Sequence, residues 1–142
     1  MAAAPTAPTV RRIAGALAAL VALGVLLQSV FAGGFLRTFY GASVIGSSLS
    51  WHELGANATF GLLVAEALLV LATPLRRDRQ HLVSGLVLGV LLTGVIGLGY
   101  VGGGSVAIHI PLAVAAFGVA VWHAAAANGL VLRRPDGAAP PR

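Results

Sequence analysis

Residues 82–101 read LVSGLVLGVLLTGVIGLGYV and contain no charged side chain. A helix rises about 1.5 Å per residue, so this stretch can cross the hydrocarbon core of a bilayer, which is about 30 Å thick. Three further stretches are also long and apolar enough to cross it, namely residues 13–36, 51–75 and 106–132. The sequence therefore predicts an all-α protein with four transmembrane helices.

The composition of the whole chain agrees with a membrane protein. Of its 142 residues, 58% are hydrophobic and only 9% are charged, which is too little polar surface to cover a soluble globule. All nine basic residues are arginine, and eight of them flank the apolar stretches in three clusters. This distribution indicates membrane topology and lipid contact rather than nucleic-acid binding.

The arginine clusters predict which ends of the helices lie in the cytoplasm. Cytoplasmic loops carry an excess of basic residues, and only Arg37 lies in the two remaining loops. We therefore expect a multi-pass protein of the cytoplasmic (inner) membrane with both termini in the cytoplasm. A cleaved signal sequence ending near Ala32 is the alternative for the first stretch, which is long for that purpose. The cytoplasmic clusters are Arg11 and Arg12, then Arg76, Arg77 and Arg79, then Arg133, Arg134 and Arg142.

The two halves of the chain resemble each other. At an offset of 65, the pair Arg-Arg and the string LGVLL at residues 23–27 recur at residues 76–77 and 88–92. At an offset of 57, His52 falls on His109 and the Phe-Gly pair at residues 60–61 falls on 117–118. We interpret the chain as two tandem parallel hairpins, residues 11–75 and 76–134, between disordered tails at 1–10 and 135–142.

Polar side chains within the predicted helices are the candidates for function, because each is costly in lipid without a partner, a cavity or a cofactor. His52 and His109 are equivalent positions near the outer ends of helices 2 and 4. Glu66 and His123 follow them by 14 residues, which is nearly four turns, so all four groups can share one interior stripe. The other equivalent interior polar pair is Gln28 and Thr93.

Two imidazoles that face each other at one depth have the geometry that haem b with two axial histidines requires. The alternative is that one or both of His52 and His109 are interfacial residues, hydrogen-bonded to backbone or water. For Glu66 and His123, a hydrogen-bonded couple is the simplest interpretation. The alternatives are a second haem site with His123 as ligand and a proton-transfer role for the couple.

This pattern resembles known haem proteins. Two polar positions 14 residues apart on each of two helices look like the dihaem cytochrome b arrangement, and one outer histidine per duplicated hairpin is similar to half of haem A synthase. The resemblance implies that His52, His109 and His123 occupy ligand positions, whereas Glu66 departs from the pattern. In its Ala-, Gly- and Arg-rich composition, the chain also resembles small four-helix actinobacterial membrane proteins of unknown function. The glycines implied to let a porphyrin approach the helices are Gly33, Gly34, Gly97 and Gly99.

His81 begins the third predicted helix beside the second arginine cluster. We expect this histidine to be solvated at the cytoplasmic interface, with the cluster in contact with anionic headgroups. The chain has only four acidic residues and no cysteine, and it offers no Ser-His-Asp set, P-loop or dinucleotide fingerprint. Hydrolytic and nucleotide chemistry are therefore not expected.

The sequence favours a small b-type cytochrome-like membrane protein that binds haem between helices 2 and 4 and passes electrons within the membrane. Its partner would be quinone or another membrane protein. The main alternative is a non-catalytic accessory or scaffold subunit whose histidines only satisfy interior hydrogen bonds. A proton-coupled carrier that uses Glu66 and His123 is a third interpretation, and four helices without a pair of proline-broken spans argue against it.

Overall fold

The computed structural model describes residues 7–39, 47–101 and 106–130. These residues form four helices and a 3₁₀ helix at Pro74–Arg77, and each of the four contains a segment long and apolar enough to cross a membrane. The predicted all-α fold with four transmembrane helices is thus confirmed. The helices are α1 (Ala7–Phe39), α2 (Ser47–Leu71), α3 (Arg79–Val101) and α4 (Val106–Ala127).

The helix ends differ from the predicted ones by up to six residues, and local capping accounts for the start of α3 and the end of α4. Asp78 precedes α3, and its carboxylate accepts a hydrogen bond from the backbone N–H of His81 at 3.3 Å. Beyond α4, Gly129 has a φ of 70°, which favours glycine. The N–H of Leu130 then donates to the carbonyl of Ala125 at 2.8 Å, which closes the helix in a Schellman turn.

Two contacts show which helix ends lie together. The guanidinium of Arg11, near the start of α1, is 3.3 Å from the carboxylate of Asp78, in the connection between α2 and α3. The side-chain amide of Asn128, just after α4, donates to the carbonyl of Gly15 in α1 at 3.1 Å. The start of α1, the α2–α3 connection and the end of α4 therefore lie at one end of the bundle, and the helices alternate in direction.

The four helices enclose a small core and turn most of their large side chains outward. Helix α1 packs against α2 and α4, and α3 packs against α4, whereas α2 and α3 contact each other only sparsely. Helices α2 and α4 therefore lie on one diagonal. Exposed side chains such as Leu68, Leu86 and Val90 suit a lipid-facing surface. The buried core comprises Val21, Val25, Leu63, Leu88, Leu92, Ala116 and Ala120.

The burial patterns of α2 and α4 agree with the predicted offset of 57. On α2 the buried positions are 59, 63, 66 and 70, and on α4 they include 116, 120, 123 and 127. Each buried residue of α2 thus has a buried counterpart on α4. Glu66 and His123 are one such pair, and both face the interior.

The burial patterns of α1 and α3 do not follow the offset of 65. Leu23 is 49% exposed whereas Leu88 is fully buried, and Val25 is 8% exposed whereas Val90 is 66% exposed. The two copies of the LGVLL string therefore present different faces to the bundle. Because its two helix pairs behave differently, the tandem duplication stays a prediction.

Gly24 lets α1 approach α2 closely. A Cβ at this position would contact the hydroxyl of Thr59 and would lie 3.2 Å from its Cβ. Thr59 is buried, and its hydroxyl donates to the carbonyl of Gly55 at 2.7 Å, so it cannot turn away without losing that bond. We expect Gly24→Ala to destabilise the protein by about 1–3 kcal/mol in a thermal or denaturant unfolding experiment in detergent.

The matched control for this substitution is Gly61→Ala, because a Cβ on Gly61 would meet nothing within 4 Å. We expect the control to retain the stability of the unmodified protein, since it adds no contact. Equal stabilities for the two variants would show that the α1–α2 contact does not depend on a missing side chain at Gly24.

Candidate functional site

Three ionisable side chains meet in the interior of the bundle. Glu66 of α2 is 1% exposed, His81 of α3 is 4% exposed and His123 of α4 is 1% exposed. The Nε2 atom of His81 is 2.8 Å from Oε1 of Glu66, and the Nε2 atom of His123 is 3.1 Å from both carboxylate oxygens. One ligand atom from each residue lies within 4.8 Å of the others, so this group, called the Glu66 cluster below, could hold a metal ion.

The expectation that His81 is solvated is wrong. Helix α3 begins at Arg79, three residues earlier than predicted, so His81 lies in its first turn and points into the bundle. Its ring packs against that of His123, with 5.1 Å between centroids and an angle of 77° between planes. The buried residues of α3 are 81, 84, 88 and 92, which follow helical spacing. This spacing from Leu88 and Leu92 is the sequence signal that places His81 on the inner face of the helix, despite the neighbouring arginines.

Ser84 is a second member of the site that sequence reasoning missed. Its hydroxyl is fully buried, 2.8 Å from Nδ1 of His123 and 3.0 Å from the carbonyl of His81, to which it donates. Gly85 makes room for the same ring, because a Cβ there would lie 3.2 Å from Cε1 of His123. The His123 ring is therefore held between Glu66 and Ser84.

A cleft opens between α2 and α3, where the helices contact each other least. Its volume is about 620 Å³, and Glu66, His81 and His123 all line it. Most of the remaining lining consists of apolar side chains, such as Val64 and Leu86. The cleft thus joins the Glu66 cluster to the side of the bundle. Thr93 also lines it, is exposed, and donates to the carbonyl of Gly89 at 2.8 Å.

The second pair of histidines lies far from the Glu66 cluster along the bundle. The ring centroids of His52 on α2 and His109 on α4 are 6.3 Å apart, and their planes are inclined by 58°. Both side chains are half-buried. The structure therefore brings these two predicted ligands together across the diagonal of the bundle.

Gln28 of α1 anchors His52. Its side-chain amide nitrogen lies 2.9 Å from Nδ1 and 2.8 Å from the carbonyl of His52, and its amide oxygen accepts from the N–H of Ala56 at 3.2 Å. A Cβ on Gly55 would contact the Gln28 amide, so the absence of a side chain at position 55 makes room for this amide. Gln28 is therefore part of the histidine pair's surroundings, whereas Thr93 belongs to the cleft.

Of the four glycines predicted to let a porphyrin approach the helices, the structure describes the side-chain surroundings of two. Gly97 and Gly99 are exposed, and a Cβ on either would meet nothing within 4 Å. Gly33 and Gly34 lie in α1, but the surroundings of their side-chain positions lie outside the described residues. Nearby, the amide of Asn57 donates to the hydroxyl of Tyr100 at 3.1 Å, which links α2 to α3.

The helices and the two polar sites define a multi-pass membrane protein with ionisable side chains gathered at two levels of a four-helix bundle. Comparison of the chain with protein-family models, with curated proteins and with solved structures finds no match. The functional argument therefore rests on the geometry of the two sites.

Proposed function

We propose that this protein binds one haem b between α2 and α4, with His52 and His109 as axial ligands, and passes electrons within the membrane. The observation that carries this proposal is the 6.3 Å between the ring centroids. A metal–imidazole bond is about 2.0–2.1 Å long, and a ring nitrogen lies about 1.1 Å from the ring centre. Two imidazoles on opposite sides of one iron therefore have centroids roughly 6–6.5 Å apart.

The placement of the two histidines supports the same role. They belong to different helices on one diagonal, where a planar cofactor can lie between them. A haem with two axial histidines has no open coordination position, so it supplies electron transfer rather than oxygen binding.

The proposed partner is a molecule that reaches the bundle through the membrane. His52 and His109 both lie within candidate membrane spans, so a donor or acceptor must either dissolve in the bilayer or pack against the helices. Quinone meets the first condition and a neighbouring membrane protein meets the second. We also propose that the protein lies in the cytoplasmic membrane with its arginine clusters on the cytoplasmic side, because cytoplasmic loops carry an excess of basic residues.

The test is an absorption spectrum of the protein purified in mild detergent from haem-replete cells. We expect a Soret band with low-spin b-type features, and we expect both His52→Ala and His109→Ala to lose the low-spin spectrum because each removes one axial ligand. His81→Gln is the matched control, since His81 belongs to the other site, and it should retain the spectrum. A colourless preparation of the unmodified protein would contradict the proposal.

A second candidate function is that of a non-catalytic accessory subunit. It is favoured by one observation: in the described part of the chain, every buried side-chain nitrogen and oxygen already has a hydrogen-bond partner. Histidines in that case serve only to join the helices. The same spectrum separates the two candidates, because an accessory subunit of this kind carries no haem.

A further inference from the structure

We propose that the Glu66 cluster binds one zinc ion, with Glu66, His81 and His123 as its three protein ligands. The cluster is separate from the proposed haem site, because Glu66 follows His52 by 14 residues, about 21 Å along α2. Two imidazoles and one carboxylate form a set typical of zinc sites that keep an open fourth position. The proposal does not depend on haem being bound.

The distances in the cluster are close to those of a coordinated ion. Ligand atoms at about 2.0–2.1 Å from a tetrahedral zinc ion lie about 3.3 Å from one another. The carboxylate oxygens of Glu66 lie 2.8 Å from Nε2 of His81 and 3.1 Å from Nε2 of His123. All three ligand atoms lie within 4.8 Å of one another, so small movements of the side chains bring them to the spacing that the ion requires.

Ser84 can hold His123 in the form that binds a metal. Its hydroxyl lies 3.0 Å from the carbonyl of His81, to which it donates, and 2.8 Å from Nδ1 of His123. A neutral His123 that donates its Nδ1–H to this hydroxyl has a lone pair on Nε2, which a metal ion requires. A cation between Nε2 and the Glu66 carboxylate would be attracted by both.

The burial of the cluster adds to this electrostatic argument. A carboxylate within a membrane span is costly unless a positive charge or several hydrogen-bond donors accompany it. In the described part of the chain, the hydrogen-bond and ion-pair partners of the Glu66 carboxylate are the two histidines, and no arginine is among them. Zinc would neutralise the carboxylate and bind both neutral imidazoles, as metal-bound histidines usually require.

The cleft between α2 and α3 selects zinc over an octahedral ion. All three ligands line the cleft, so the open position of the ion would face it. Tetrahedral zinc leaves one position for a water or hydroxide molecule, whereas octahedral Fe²⁺ would leave three beside a mostly apolar wall. The site therefore suits zinc with one exchangeable ligand that can be reached from the cleft.

The test measures metal in the full-length protein purified in detergent, after loading with Zn²⁺ and washing with a weak chelator. We expect one zinc per chain by elemental analysis, and less than a tenth of that in Glu66→Gln, His81→Gln and His123→Gln. Ser84→Ala should bind zinc about 10–100-fold more weakly, because it removes the group that orients His123. His52→Ala is the matched control and should retain one zinc even if haem is lost.

Two further measurements distinguish lost metal binding from misfolding and test the geometry of the site. Circular dichroism must show unchanged helix content in each variant, and substitution of Co²⁺ into the unmodified protein should give the intense visible bands of a tetrahedral ion. Zinc content that does not exceed background in the unmodified protein would overturn the proposal. So would zinc content unchanged in all three ligand variants, stoichiometric iron in place of zinc, or the weak bands of six-coordinate cobalt.

Discussion

Glu66→Ala is expected to destabilise the protein by about 3–5 kcal/mol, even with zinc removed by a chelator. Glu66 is 1% exposed and contacts both His81 and His123 through its carboxylate. Alanine would leave two imidazole nitrogens without their partner in a buried space and would also create a cavity. The unpaired nitrogens and the cavity are both destabilising, and both arise where α2, α3 and α4 meet.

The measurement is equilibrium unfolding in detergent, followed by circular dichroism, with a chelator present throughout. Glu53→Ala is the matched control, because Glu53 lies on the same helix but is exposed, and we expect its effect to stay within about 0.5 kcal/mol. The free energy of unfolding of Glu66→Gln should lie between those of the two alanine variants, since an amide can still accept one hydrogen bond. If Glu66→Ala proves as stable as Glu53→Ala, the buried cluster contributes nothing to the fold.

A triple replacement separates stability from function. Leucine at positions 66, 81 and 123 removes the polar cluster as a whole, so no buried partner is left unsatisfied. Such replacements of buried ionic groups by apolar ones are often neutral or stabilising. A triple variant that folds well but binds no zinc would show that the cluster is kept for its chemistry rather than for the stability of the bundle.

The fold could be predicted from the sequence because lipid imposes a simple requirement on helix length and polarity. Twenty apolar residues without charge have few alternatives to a spanning helix. The helix ends could not be predicted as well, since they depend on capping by Asp78 and on the turn at Gly129. These single-residue features leave only a weak trace in an apolar sequence.

The candidate sites were predictable in part, for a related reason. A polar side chain within a span is conspicuous, which led directly to Glu66 and His123. The sequence predicts a solvated His81, because an arginine cluster precedes it, and it does not single out Ser84, because serine is common in membrane helices. Their roles depend on which face of α3 turns inward, and that is set by packing between helices.

The cleft had no signal in the sequence, because it depends on how closely neighbouring helices approach each other. At the contact of α1 with α4, the amide of Asn128 reaches the carbonyl of Gly15, and the absence of a side chain on Gly15 lets the helices meet. Helices α2 and α3 contact each other only sparsely, and the opening between them exposes the Glu66 cluster to the side of the bundle.

The arginine clusters make an all-or-none prediction about topology. A green fluorescent protein fused after Arg142 should be fluorescent and an alkaline phosphatase there should be inactive, because the excess of arginines predicts a cytoplasmic C-terminus. The contacts of Arg11 with Asp78 and of Asn128 with Gly15 bring the start of α1, the α2–α3 connection and the end of α4 to one end of the bundle.

The matched control is the same pair of reporters inserted between α3 and α4, where the two activities should be exchanged. Phosphatase activity after Arg142 would reverse the assignment. The Glu66 cluster would then lie toward the outer face and would meet metal ions from outside the cell, whereas the His52–His109 pair would lie toward the cytoplasm. Because the two sites lie about 21 Å apart along one helix, a single topology measurement decides which side of the membrane supplies each of them.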